Sequence, residues 1–407
     1  MMQPELSNAS PRIAVVGAGP AGLVAAIAAR RLGLEVTVFE QADDFRRVGG
    51  GILIHSNGQR VLHALSLLDS FTPQLRFGTV IETSTPAGQV LTRSDLSTLD
   101  IPFNRAAIVM RYQLQEHLLE AAQDEGIVVH FGHRCARVEV GPDEAVLHFE
   151  NGQSASFDVV IAADGINSRV REGIGIPFEK RAVGEGWLRG VAQRHEADST
   201  LREIWGDDGR RFGIGPLLGD YTYFYCRVPL GQWEDIREHR LEEWIDSWRP
   251  FGSRVMDILH AVPDWTLVNY SELHEIIAPR WHQPPVFLVG DAAHAMTPNL
   301  GQGANSAMVG ALVLVQLLAQ AAQQGALNRA SLEQVGTRYT AIRHAFVTRL
   351  QNTARQSGQL ANWTAPPARR LRNTLMRFTS QSSKLSHNML LLAAGYNEAE
   401  EGFFGGR

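Results

Sequence analysis

"RIAVVGAGPAGLVAAIAARRLGLEVTVFE", Arg12 to Glu40, is the stretch that decides the fold. Arg12–Val16 is a short apolar run with β-branched residues, which predicts a buried strand. "GAGPAG" interrupts it. "LVAAIAARRLG" then carries apolar residues at helical spacing, and "LEVTVFE" reads as a second strand ending at Glu40. The order is β-turn-α-β, the repeating unit of a parallel sheet.

Each glycine of Gly17-x-Gly19-x-x-Gly22 has a physical reason. Gly17 permits the tight turn, Gly19 lets a pyrophosphate approach the backbone, and Gly22 allows close helix–strand packing. The helix N-terminus offers free N–H groups and positive dipole to an anion. Glu40, 18 residues after Gly22, stands where a carboxylate accepts bonds from a ribose diol. The pattern predicts a dinucleotide and leaves NAD and FAD both open.

Composition sets the frame around this motif. At 407 residues, one large domain or two intertwined ones are expected. A net charge of −5 gives no reason to expect nucleic acid or an anionic membrane as the main partner. There are 36 arginines but only two lysines, Lys180 and Lys384, which excludes most lysine-dependent mechanisms. Cys135 and Cys226 are too far apart for a metal knuckle and read as free thiols of a cytoplasmic protein. No metal-ligand spacing is visible. "MMQPELSNASPR" lacks the pattern of a secretory leader. No transmembrane segment is expected: "SAMVGALVLVQLLAQAA" is broken by Gln316 and Gln320 and reads as a buried helix.

Farther along, "VMRYQLQEHLLEAAQDEG" predicts an amphipathic helix ending at Gly126. Residues 137–163 predict a β-meander with turns at Gly141-Pro142 and Asn151-Gly152. From Gly184 to about Tyr270 the alternating, aromatic-rich runs predict a mostly antiparallel sheet, followed by one helix over 234–248. "PVFLVGD" predicts another buried strand. It leads into "GDAAHAMTPNLGQGANSAM", Gly290–Met308, which fits a hydrolase dyad, a metal pair or a cofactor cradle at first sight. The remainder is helical, with a break at Pro366-Pro367.

Two further stretches narrow the choice. "DVVIAADGINSRVR" puts Asp164-Gly165 at a strand end, and "VFLVGDAAHAMTPNLGQGANSAM" puts Gly290-Asp291 at another. Together with "GAGPAG", "RRVGGGILIHSNGQRVLHALSLLD" and "MRYQLQEHL", they resemble the fingerprints of the group A flavoprotein monooxygenases, the para-hydroxybenzoate and salicylate hydroxylase family. The resemblance covers nearly the whole chain. It implies an α/β fold: a Rossmann-like (GR2-type) FAD-binding domain from residues 1–75, 105–180 and 275–350, an inserted antiparallel substrate sheet from 76–104 and 181–274, and a helical segment over 351–407.

The resemblance also implies roles. Gly17, Gly19, Ala21 and Gly22 would hold the FAD pyrophosphate, and Glu40, with Gln41 beside it, the adenosine ribose. Arg47 and Arg111 match arginines of the ribityl–pyrophosphate region, and Asp291 would bond the ribityl chain. Gly301, Gln302, Gly303, Ala304 and Asn305 match the loop facing the flavin's pyrimidine edge. Asp164 and Arg169 match a motif for FAD and nicotinamide binding. NADH or NADPH would be a transient co-substrate. The implied reaction inserts one oxygen atom from O2 into an aromatic ring through a C4a-hydroperoxyflavin. Elementary chemistry agrees, since reduced flavin carries negative charge that a glycine-rich helix N-terminus accommodates.

Substrate contacts are expected from Leu53, Trp187, Arg189, Phe212, Ile214, Tyr223 and Pro298, with His55 as candidate base. "RFGIGPL", Arg211–Leu217, offers glycines and apolar residues where relatives place polar ones, which points to a bulkier, more apolar ring. His294 reads as structural. Rival readings are an epoxidase or hydroxylase of isoprenoid or polyketide substrates, and a halogenase, for which the usual tryptophan motif and early lysine are missing. A non-catalytic dinucleotide module would explain the first glycine motif alone. A monomer or homodimer is expected. "RRLRNTLMRF", Arg369–Phe378, is basic and amphipathic; it reads as a helix packed on the FAD domain with its arginines in solvent, and membrane-surface contact is the other reading.

Overall fold

The computed structural model describes residues 11–47, 50–325 and 327–405. The run read for a leader, up to Ser10, and Val48-Gly49 of the "RRVGGG" stretch lie outside them. Strand Arg12–Val16 sits near the middle of a six-stranded sheet. Its order is His282–Gln283, Val286–Leu288, Val159–Ala162, Arg12–Val16, Glu35–Phe39, Val128–His130, parallel except at the first edge. Such strands are buried on both faces, which is why they read as continuous apolar runs.

Register explains why three distant motifs meet. Val16 pairs with Ala162 and with Phe39, and Ala162 pairs with Leu288. Gly17, Ala163-Asp164 and Val289-Gly290 therefore leave neighbouring strands at the same carboxyl edge, where ligands bind in open α/β sheets. The helices Pro20–Arg31 and Gly303–Gln324 pack together behind that edge. The second is long and apolar enough to cross a membrane by composition, and 78% of its apolar window is buried in the fold. The predicted meander forms over Cys135–Val140, Ala145–Phe149 and Ser154–Phe157.

A seven-stranded, mostly antiparallel sheet stands over this edge, in the order Asn269–Ile277, Glu179–Ala192, Thr222–Val228, Arg211–Pro216, Leu201–Trp205, Val80–Ser84, Val90–Asp95. The helix expected over 234–248 is two short ones, Trp233–His239 and Leu241–Asp246, broken at Arg240. Around the break Trp233, Trp244, Trp248 and Trp265 pack together with centroids 5.7–6.0 Å apart, edge-on except for the tilted Trp233–Trp265 contact. Helix Arg329–Ala361 spans the back of the molecule. Helices Pro366–Gln381 and Ser383–Ala393 close one side, the first starting at the predicted proline break.

Candidate active site

A cavity of about 1050 Å³ lies between the carboxyl edge of the parallel sheet and the seven-stranded sheet. Gly19, Ala21, Leu53, His55, Arg111, Trp187, Arg189, Ile214, Tyr223, Asp291, Pro298, Gly301, Gly303 and Ala304 all line it. Gly17 and Gly22 do not, because their role is packing. A Cβ on Gly17, whose φ is +106°, would sit 2.4 Å from the Ala163 carbonyl oxygen, and one on Gly22 would sit 1.9 Å from that of Gly17. At Gly19 and Gly303 the opposite holds: an added Cβ meets nothing within 4 Å. Bare backbone there borders open space.

Both positions begin helices without a side-chain cap, so first-turn N–H groups are free to meet an anion or an electron-rich edge. Glu40 accepts from the amides of Ala18 (2.7 Å) and Ala42 (2.9 Å) and so holds the glycine loop at the strand end; Gln41 beside it is exposed. Asp291 opens into the cavity. The surrounding walls push its carboxyl pKa up, and the Arg111 charge pulls it the other way. The donor set, the bare backbone and the size fit a flavin dinucleotide.

The family model of an FAD-binding domain matches residues 11–354. This chain belongs to the FAD-binding domain family. It is 33% identical to a 3-amino-4-hydroxybenzoate 2-monooxygenase of Streptomyces cremeus, over 75% of this chain and 78% of the relative. It is 28% identical to the 2-heptyl-3-hydroxy-4(1H)-quinolone synthase of Pseudomonas aeruginosa, over 95% of this chain and 100% of the relative. The structure of Klebsiella pneumoniae HpxO complexed with FAD and uric acid superposes with a TM-score of 0.79 at 26% identity, covering 94% of this chain and 96% of that one. The chain is thus an FAD-dependent aromatic monooxygenase that consumes NAD(P)H, and the isoprenoid and halogenating readings are not favoured.

Several expected positions of the monooxygenase lie elsewhere. Arg47 is on the surface, its side chain 70% exposed and paired with Glu116 at 2.7 Å. Arg169 is exposed and paired with Glu172 at 3.2 Å, whereas Arg171 is buried and donates to the carbonyls of Ala292 (2.8 Å) and Ile166 (2.9 Å). Arg171 thereby ties the second motif to the third. Asp164 accepts from Val170 N, its other oxygen is buried without a partner, and burial raises its pKa. Asn305 stands behind the cavity and clamps the loop, donating to Leu53 O (2.7 Å) and Gly301 O (2.9 Å). Gln302 donates to Ala393 O at 2.7 Å. Asp291 and His294 form no dyad: His294 is buried against Trp281, with both ring nitrogens unpartnered.

Phe212 does not line the cavity: it points to the opposite face of its strand, stacks on Phe224 and meets Trp248 edge-on, as strand alternation dictates. Ile214, two residues on, shares that face and packs with Phe212 in the same apolar core, so its side chain is not a substrate contact either. Its neighbour Arg211 takes the cavity side. Arg211 is buried, donates to Glu203 Oε1 and to Asn299 Oδ1 (2.7 Å), and lies 4.9 Å from the Trp187 ring and 5.3 Å from that of Trp205. Gly213 and Gly215 face Tyr225 and Tyr223 across the sheet, and a Cβ on Gly213 would enter the Tyr225 ring at 2.0 Å. Gly213 therefore makes room for Tyr225, and Gly215 for Ile108 with Tyr223 beside it, not for a larger apolar ring. Arg189, Glu203, Arg211, Tyr223 and Tyr225 set polar groups into a wall built largely from apolar residues such as Ile81, Trp187 and Leu201. Arg211 and Glu203 lie outside the expected contacts: period-two reading of 211–215 and 201–205 separates the two faces of each strand, but which face meets the cavity is set by the pairing of the strands. Tyr225 shares its strand face with the expected Tyr223.

His55 does not suit general base work. It is buried, its Nε2 donates to Leu300 O at 3.1 Å, and burial lowers its pKa to about 4. His294 is lowered to about 3 for the same reason. Both bind a proton more tightly when unfolded. Their contribution is complete above about pH 6.5 and drains away as the pH falls toward 4. The urea midpoint should be lower at about pH 5 than at pH 7.5, and His55→Asn/His294→Gln should flatten that dependence. A midpoint equal at both pH values would contradict this assignment.

Proposed function

We propose that the enzyme holds its FAD pyrophosphate against Gly19 to Ala21, the adenosine ribose at Glu40, and the flavin edge against Gly301 to Ala304. Asp291 and Arg111, both on the cavity wall, would hold the ribityl chain. The observation that carries this is the pair of uncapped helix N-termini, at Gly19 and Gly303, bordering one cavity with open space beyond their backbone. FAD held there and reduced by NAD(P)H would activate O2, one atom of which would enter the ring while the other leaves as water.

The chain's own residues do the rest. Pro298 and Leu53 wall the ring in and exclude water. Arg189 lines the cavity without a carboxylate partner among the described residues, and Tyr223 stands beside it. They would take an ionised oxygen of the substrate. Arg211 is already neutralised by Glu203, so it orients Asn299 and the indoles rather than binding a second anion. The best reading is an aromatic or heteroaromatic ring with one acidic oxygen and an apolar remainder. We also infer a monomer or homodimer in the cytoplasm, which suits its two buried free thiols; burial holds Cys135 up at about 12.

The test is a panel of phenols, hydroxypyridines and hydroxyquinolines offered to the FAD-loaded enzyme. At least one should accelerate NAD(P)H oxidation about tenfold or more, on the scale of a binding-coupled step. A flat response across all three ring classes would overturn the substrate reading.

A further inference from the structure

The helices that wall one side of the cavity also carry an unpartnered apolar face. Leu371, Leu375 and Phe378 are 53%, 44% and 64% exposed and fall four and then three residues apart, on one stripe. Leu385 and Met389, four apart on the next helix, are 46% and 52% exposed. The arginine-bearing run expected to pack its apolar side inward thus buries Arg372 and Met376 and leaves this stripe outside. Contiguous exposed apolar surface of this kind marks an interaction site.

Charge identifies the occupant. No Asp or Glu occurs between Glu333 and Glu398. Arg370 and Arg377 flank the stripe and Lys384 begins the second helix, and none has a carboxylate partner among the described residues. A second copy of the chain seated here by a two-fold axis would press these like charges together. An apolar stripe edged by cations is instead the pattern of a helix lying in the interface of an anionic bilayer. The cavity reaches the same place: Met376, Thr379, Met389 and Leu390 line it, and Met389 is also exposed.

We propose that helices Pro366–Gln381 and Ser383–Ala393 form a docking face for an anionic membrane surface, with the cavity opening toward the lipid. An apolar aromatic substrate would then enter from the bilayer; that last step rests on the function proposed above, whereas docking does not.

The experiment is sedimentation of the FAD-loaded enzyme with phosphatidylcholine vesicles, with and without phosphatidylglycerol. The enzyme should sediment only with the anionic vesicles, and less as salt rises. Arg370→Gln/Arg377→Gln/Lys384→Gln should bind on the order of 100-fold more weakly. Phe378→Glu should abolish binding while FAD content and melting temperature stay unchanged. No turnover is involved, so a wrong substrate leaves the result readable. Wild-type enzyme remaining in the supernatant with both vesicle types at low salt would overturn the proposal. So would an oligomer that Phe378→Glu reduces to a monomer without any vesicle binding, because the face would then join copies of the chain.

Discussion

Gly19→Val should give a folded, colourless protein. Gly19 has φ −73° and ψ 176°, which any residue adopts, and an added Cβ there meets no atom within 4 Å. Nothing in the apoprotein resists the change. The valine branches would occupy the space through which a pyrophosphate must come to within about 3 Å of the first-turn amides. Losing two hydrogen bonds to a charged group, at about 1.5–3 kcal/mol each, weakens FAD at least about 100-fold. Gly17→Ala makes the contrast, since its Cβ would strike the Ala163 carbonyl at a positive φ, and it should damage the fold itself. Flavin titration followed by fluorescence, beside a melt of the apoprotein, separates the two. A Gly19→Val protein that binds FAD like wild type would show that the pyrophosphate does not lie there.

Arg211→Met should cost both stability and turnover. Arg211 and Glu203 pair in the cavity wall with little exposure, and removing the cation leaves the carboxylate with two neutral partners, the Trp205 Nε1 donor at 2.8 Å and the Tyr225 hydroxyl. Breaking a buried pair this way costs about 3–5 kcal/mol. The bond from Arg211 to Asn299 also links the substrate sheet to the loop ahead of Gly301. Asn299 in turn donates to Ala354 O at 2.9 Å. Losing that tie displaces one wall against the other, and a misplacement of that kind costs on the order of 100-fold in kcat/KM. Arg211→Met/Glu203→Leu should restore most of the stability but not the rate. Arg211→Lys should restore neither fully, because the forked guanidinium serves two acceptors and lies between two indoles. Denaturant midpoints and steady-state kinetics on these variants read the two effects separately. A stable double variant with full activity would contradict the linking role of Arg211.

Much of this architecture is legible in the chain itself, because the parallel sheet announces each of its parts locally. Gly17–Gly22, Asp164-Gly165 and Gly290-Asp291 each follow a β-branched apolar run, and the register Phe39–Val16–Ala162–Leu288 brings the run ends level. The glycines of the cofactor cradle are readable for the same reason: bare backbone has few other uses at a helix mouth. The substrate wall is less so. That Tyr225 lies across Gly213, or that Arg211 rather than Phe212 faces inward, depends on cross-strand pairing, which is tertiary. His55 shows the same limit from another side. Its position next to the loop is local information, whereas the burial that strips its basicity, and the Leu300 carbonyl that takes its Nε2–H, come from residues over two hundred positions away. Arg47 matches, by family resemblance, an arginine of the ribityl–pyrophosphate region, whereas in the structure it pairs at the surface with Glu116, on a helix far along the chain.

The central claim, hydroxylation of an aromatic ring by FAD held in this cavity, is tested most directly by isotope. The wild-type enzyme is given FAD, NAD(P)H, the ring that best accelerates NAD(P)H oxidation, and heavy-oxygen dioxygen, and the product is weighed. We expect one heavy oxygen atom per product molecule on the ring. A product whose new oxygen comes from water, or NAD(P)H consumed with only hydrogen peroxide formed for every ring tested, would contradict it.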